Sequence, residues 1–238
     1  MTSLALLRHG QSQWNLENRF TGWVDVDLTA EGEAQARRAG DLLAACGAPF
    51  DKLYTSVLTR AIRTANLALE TAQLNWLPTE KDWRLNERHY GALTGGNKAD
   101  AAAKHGEAQV KVWRRSYDVP PPPLAPGSAY DLSKDRRYAG VRNLPATESL
   151  KMTLERVLPY WNDVIAPDIR GGGNLIIAAH GNSLRAIVKH LFAVSDEAII
   201  GVEMPTGNPL LIDLDANLKP HAARYLDEGR AEKIPALP

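Results

Sequence analysis

Apolar residues alternate along the chain between short runs and longer stretches of helical spacing. The short runs Ser3–Leu7, Lys52–Tyr54, Leu175–Ala179 and Leu210–Leu214 read as strands, and Asp82–Leu85 as a further one. Thr29 is placed to cap a helix over Ala30–Cys46, with Gly47 and Pro49 as its stop signals. Leu58–Thr71 and Asn182–Phe192 follow as further helices. Thr147 opens a long one whose apolar positions Leu150, Leu154, Val157, Leu158, Trp161 and Ile165 keep one face, and Pro159 inside it predicts a kink. Strands alternating with helices predict an α/β fold of three layers, a mostly parallel sheet covered by helices on both faces. No repeat of solenoid or propeller period is present.

Between about residues 88 and 146 the grammar changes. One amphipathic helix, about Lys98–Trp113, precedes the polyproline run Pro120–Pro123 and a polar stretch rich in Asp, Arg and Tyr. A stiff spacer and a lid over one end of the sheet fit these residues equally well. The expectation is one domain over residues 1–238 with this segment inserted. Gly229 and Pro235 predict a mobile tail over about 227–238.

Composition narrows the function classes. The 28 basic and 28 acidic side chains of this 238-residue chain cancel, so no global field draws it to nucleic acid or membrane, and any anion site is built locally. The single Cys46 has no internal partner and no CxxC is present. Met1–Leu7 is short for a signal peptide, and no apolar run approaches the ~20 residues of a membrane span. The expectation is a soluble, cytoplasmic protein.

Two strands end alike, in Arg8-His9-Gly10 and in Ala179-His180-Gly181. Ligands of open α/β sheets bind beyond the carboxyl ends of the strands, so neighbouring strands would bring His9 and His180 to one crevice. A lone histidine there more often bonds a loop than reacts; two such junctions in one chain reverse that balance. Arg8, Arg60 and the pair Arg114-Arg115 suit phosphate, whose oxygens a guanidinium fork matches. Asn15, Thr21 and the helix start after His180 add neutral donors. Glu87 is the best-placed carboxylate, either an arginine's partner or a proton shuttle. Competing motifs fail: Asn97 interrupts a would-be phosphate loop at Gly91–Lys98, no GxSxG or HExxH occurs, and His89, His105, His190 and His221 lack metal spacing. The chemistry expected is a histidine nucleophile without a metal.

The segment Arg8-His9-Gly10-Gln11-Ser12-Gln13-Trp14-Asn15 resembles the signature of the histidine phosphatase superfamily. Phe20–Trp23, Glu87–Leu93 and Val112–Asp118 are similar to the 2,3-bisphosphoglycerate-dependent phosphoglycerate mutases within it, and the likeness runs from about Ser3 to Leu226. The resemblance implies that His9 is the phosphorylated nucleophile, that Arg8, Arg60 and His180 surround the transferring group, and that Glu87 is the general acid and base. It implies substrate contacts from Ser12, Asn15, Thr21, Gly22, Arg88, Tyr90, Lys98, Arg114, Arg115, Gly181 and Asn182. It further implies small-molecule phosphoglycerates as partners, 2,3-bisphosphoglycerate as phosphoryl primer without a metal, and a homo-oligomer, dimer or tetramer. Gly96 departs from the family's usual leucine, which predicts a looser Lys98 loop, and Asn208 replaces a usually aliphatic residue. Two rivals remain: a phosphomonoesterase using the same histidine, and a non-catalytic phospholigand-binding regulator. The latter would have lost a reacting group, yet all five are present.

Overall fold

In the computed structural model, which describes residues 1–238, the middle of strand β1 (Thr2–Arg8) is buried on both faces, and its alternation divides the core in two. Leu4 and Leu6 join the larger cluster on one side of the sheet; Ala5 and Leu7 join the smaller one on the other. Strand β1 is followed by α1 (Gln13–Leu16), α2 (Ala30–Ala45), β2 (Lys52–Thr55), α3 (Thr59–Thr71) and β3 (Thr79–Lys81). Helices α4 (Lys98–His105) and α5 (Glu107–Arg115) lie in the insertion. The chain closes with α6 (Leu150–Tyr160), α7 (Ala166–Arg170), β4 (Leu175–Ala179), α8 (Gly181–Leu191), β5 (Leu210–Leu214) and β6 (Pro220–Tyr225). The sheet order is β3-β2-β4-β1-β5-β6, parallel through β1 and antiparallel at β5 and β6. Residues of α2 and α3 pack on the smaller cluster and those of α6, α7 and α8 on the larger. The expected three layers are therefore present.

Several local expectations are corrected. Asp82–Leu85 is not a strand: Asp82 caps a 3-10 turn over Trp83–Leu85, and the strand lies just before, at Thr79–Lys81. The helix expected over Lys98–Trp113 is two helices, because Gly106 at φ 86° ends one and begins the next. Thr147 does not open α6; its hydroxyl donates to the Pro121 carbonyl at 2.7 Å, and Ser149 caps the helix instead. Pro159 lies inside α6, and a π-helical turn over Trp161–Ile165 follows it and leads directly into α7.

The inserted segment is packed onto the rest of the chain at several points. Polyproline carbonyls have no strand to pair with and accept from elsewhere: Ala92 N donates to Pro122 O at 2.8 Å. Gly91 is required at this seam, since at φ +56° a Cβ would stand 2.1 Å from the Pro122 carbonyl. Farther along, Arg137 pairs with Asp25, and buried Tyr138 packs on Trp23 with its hydroxyl bonded to Asn86. The Lys98 loop is tied down despite Gly96: Phe20 N donates to Gly96 O and Lys98 N to Asn18 O. At the other end, buried Asn208 donates to the carbonyls of Asp227 and Arg230 and accepts from Asp227 N, pinning the start of the tail. No helix is long and apolar enough to cross a membrane.

Candidate active site

Strands β1 and β4 are parallel neighbours, with Arg8 opposite Ala179 and His9 N donating to Ala179 O at 3.0 Å. Their carboxyl ends thus deliver His9 and His180 side by side, ring centroids 5.0 Å apart and inclined at 62°. Both rings are buried. His9 Nδ1 lies 2.7 Å from the Gly10 carbonyl, which only accepts, so Nδ1 carries the hydrogen. That leaves Nε2 unprotonated, and its lone pair accepts from Arg60 Nε at 3.3 Å. Burial first, then the charges of Arg60 and Arg8, hold His9 well below its ordinary 6.5, so the ring is neutral. Glycine at position 10 lets α2 close on this loop, because a Cβ there would meet Gly32 O at 2.1 Å.

Arg60, in the first turn of α3, is held on three sides. Its NH1 and NH2 groups donate to Val24 O and Gly22 O at 2.9 and 2.7 Å, which aims Nε at His9. Burial lowers its pKa to about 10, still charged at neutral pH. Arg8 donates to Met204 O at 2.8 Å and keeps its buried Nε without a protein partner. His180 is oriented by Ser56, whose hydroxyl lies 2.7 Å from Nε2; its buried Nδ1 is unpartnered. Burial, then Arg60 and His9, also hold His180 well below 6.5. Unpartnered buried guanidinium and imidazole nitrogens are costly unless a ligand completes them.

Glu87 is fixed by backbone donors. Its Oε1 accepts from Arg88 N at 2.8 Å and from Asn182 N at 3.0 Å, the latter in the first turn of α8, where the helix dipole favours a carboxylate. Asn182 Nδ2 reaches Tyr90 Oη at 3.3 Å, and Asn182 Oδ1 accepts from Arg185 at 2.9 Å. Burial pushes the Tyr90 phenol up, but Arg88, stacked 4.8 Å over its ring, and Lys98 outweigh this and lower it. Lys98 is lowered by burial, and further by Arg114 and Arg8.

These elements enclose a cavity of about 220 Å³. Of the sequence-predicted residues, Arg8, His9, Asn15, Thr21, Gly22, Arg60, Glu87, Tyr90, Lys98, Arg114, Arg115, Gly181 and Asn182 line it. Three do not. His180 lies buried beside His9 and Ser56. Ser12 caps α1 and binds Asn15 Oδ1, so it positions Asn15 and stands off the cavity wall. Arg88 is fully buried and donates to Arg114 O at 2.8 Å, bracing α5. Sequence reasoning missed Arg19, Phe20, Arg185, Glu203 and Met204, which complete the wall. Arg185 sits one helical turn after Asn182, a spacing legible in the chain, whereas nothing local marks Glu203. The wall therefore carries seven cations, Arg8, Arg19, Arg60, Lys98, Arg114, Arg115 and Arg185, against two carboxylates, Glu87 and Glu203. Such an arrangement has the charge to receive a small polyanion and the unprotonated imidazole nitrogen to react with it.

Comparison with known proteins gives the same direction. The profile of the histidine phosphatase superfamily (branch 1) matches residues 4–218. The chain is 70% identical over 237 residues to the 2,3-bisphosphoglycerate-dependent phosphoglycerate mutase of Caulobacter vibrioides, with 100% of both chains covered. It is 67% identical over 238 residues to the protein of that name from Hyphomonas neptunium, again with 100% of both covered. Among solved structures, mycobacterial hydrolase 1 superposes with a TM-score of 0.72 at 22% identity, over 98% of this chain and 99% of that one, and so shares the fold.

Proposed function

The chain belongs to the histidine phosphatase superfamily (branch 1), and on that premise we propose that it interconverts 3-phosphoglycerate and 2-phosphoglycerate through a phosphorylated His9. The observation that carries this reading is the unprotonated His9 Nε2, which accepts from Arg60 and faces a cavity rich in cations. The mutases of Caulobacter and Hyphomonas, matched along their whole length, favour it over a plain phosphatase.

In this reading His9 Nε2 attacks phosphorus in line, while the Gly10 carbonyl holds Nδ1–H and steadies the charge that develops on the ring. Arg60 and the unpartnered nitrogens of Arg8 and His180 take the equatorial oxygens. Glu87 removes the proton from an attacking glycerate hydroxyl, and returns it to the departing oxygen when the phosphoryl group goes back to His9. Tyr90, Lys98, Arg114 and Arg115 hold the carboxylate and the non-reacting phosphate, assisted by Asn15, Thr21, Gly22, Gly181 and Asn182. The lid excludes water, which would otherwise hydrolyse the phosphohistidine. The unpaired buried guanidinium nitrogens of Arg8 and Arg185 fit 2,3-bisphosphoglycerate; when bound, it supplies the phosphoryl group that charges His9. Phosphoryl charge is met here by guanidinium groups, so the reading calls for no metal.

The same reading carries a cytoplasmic location and assembly as a dimer or tetramer; the assembly rests on family resemblance and is tested by light scattering. The function is tested by assaying conversion of 3-phosphoglycerate to 2-phosphoglycerate in EDTA, with and without 2,3-bisphosphoglycerate, beside His9→Ala. Conversion stimulated by the bisphosphate, untouched by chelator and lost in the variant is expected. Release of phosphate without isomerisation would overturn it in favour of a phosphatase.

A further inference from the structure

Two carboxylates face the cavity, and only one has a proton to move. Glu87 is fixed by two backbone donors beside the paired histidines. Glu203 lines the same cavity from the loop between the 3-10 turn Ala198–Gly201 and β5, and its carboxylate pairs with Arg115 NH1. The backbone around it is held firmly. The Glu203 carbonyl accepts from Tyr225 Oη at 3.2 Å, and the neighbouring Met204 carbonyl accepts from Arg8 at 2.8 Å. Position 203 is thus set in the wall by Tyr225, next to the carbonyl that orients Arg8. Its side chain is 41% exposed, and that of Arg115 is 30% exposed.

A cavity that gathers seven cations for a polyanion gains nothing in affinity from an added carboxylate. A like charge facing the ligand weakens every anionic state of it, most strongly the state with most charge. Ion pairs this exposed contribute little to the fold, so structural need is a poor reason for a glutamate here. We infer that Glu203 is a resident counter-anion: it holds Arg115 in the free protein, yields it to the ligand's distal acidic group, and sets how tightly multiply charged ligands are retained. It is a specificity-determining residue that favours turnover of the bisphosphorylated state over its capture. The inference rests on the proposed function for the identity of the ligand; the charge exchange itself does not.

The test is calorimetric binding of inorganic phosphate, 3-phosphoglycerate and 2,3-bisphosphoglycerate to the intact protein, to Glu203→Gln and to Glu203→Ala. Both variants are expected to bind more tightly, by about tenfold for the bisphosphate and two- to threefold for phosphate, with the gain shrinking as salt rises. Turnover is expected to show a lower KM together with a lower kcat, as release slows. If the pair serves only to position Arg115, losing it weakens all three ligands and raises KM, the opposite sign, which overturns the inference. An equal gain for all ligands, whatever their charge, also overturns it. Failure of the proposed function is separately visible: the original protein would then not isomerise 3-phosphoglycerate, while the effect of Glu203 on phosphate binding is still read.

Discussion

Arg156, on α6, braces the backbone that carries Glu87, and replacing it with Met tests how the candidate site is supported. Its guanidinium donates to Glu148 Oε1 at 2.6 Å and Oε2 at 3.1 Å, and to the carbonyls of Arg84, Asn86 and Glu87 at 2.6, 2.9 and 2.8 Å. Glu148 is 2% exposed, and its other bond is from His89 N at 2.8 Å. Removing one partner of a buried ion pair costs about 3–5 kcal/mol, because the remaining charge is stranded. The Arg84 and Asn86 carbonyls lose their donor as well, adding roughly 1 kcal/mol or more. Arg156→Met is therefore expected to destabilise by about 4–6 kcal/mol, a large part of the ~5–15 kcal/mol of an ordinary domain. Met keeps the apolar stem, so lost packing adds little. Adding Glu148→Gln removes the stranded charge while keeping an acceptor for His89 N, and is expected to restore about 2 kcal/mol or more. Urea denaturation at pH 7 measures both variants. A cost below about 2 kcal/mol for the single variant, or a double variant no more stable than the single, would refute the reasoning.

Three further outcomes are expected. Burial, with the charge of Arg60, keeps His9 and His180 neutral in the fold, while both protonate near 6.5 when unfolded. The unfolded state then binds more protons below that pH, so stability falls as pH drops from 6.5, at up to about 1.4 kcal/mol per unit for each histidine. His180→Gln should remove one proton's share of that slope, read from urea midpoints between pH 7.5 and 5. Gly32→Ala would place a Cβ 2.0 Å from Gln11 O, and should lower both melting temperature and kcat by forcing α2 off the His9 loop; an unchanged melt would contradict this. Asn208→Ala removes three hydrogen bonds to residues 227–230. It should destabilise by about 2–3 kcal/mol and speed proteolytic clipping of the tail, seen by mass spectrometry.

The elements legible in the sequence were those whose signal is local and strong. Leu175–Ala179 is apolar throughout because β4 is buried on both faces between β1 and β2, and the strand has the bounds that its apolar run predicts. Thr29 caps α2 as its side-chain chemistry requires. Edge strands were missed: Thr-Glu-Lys at β3 has no alternation to read, since it is partly exposed and held by its single neighbour β2. The Lys98–Trp113 stretch kept helical spacing across Gly106, and only the glycine's positive φ shows that it breaks.

The candidate site divides the same way. The repeated His-Gly strand end, the arginine beside His9 and the carboxylate at position 87 are short-range signals of candidate reacting groups, legible in the sequence alone. Where each guanidinium points depends on which carbonyls lie free around it, and that is decided by packing between segments distant in the chain. Arg60 is turned to His9 by the carbonyls of Gly22 and Val24, whereas Arg88, adjacent to Glu87, is turned away to Arg114. Ser12 belongs to the signature yet serves as a helix cap. Glu203 enters the cavity only because β5 runs antiparallel beside β1, which returns the loop before it to the Arg8 end of the sheet. Residue types fix what chemistry is available; the sheet order fixes which of those residues meet.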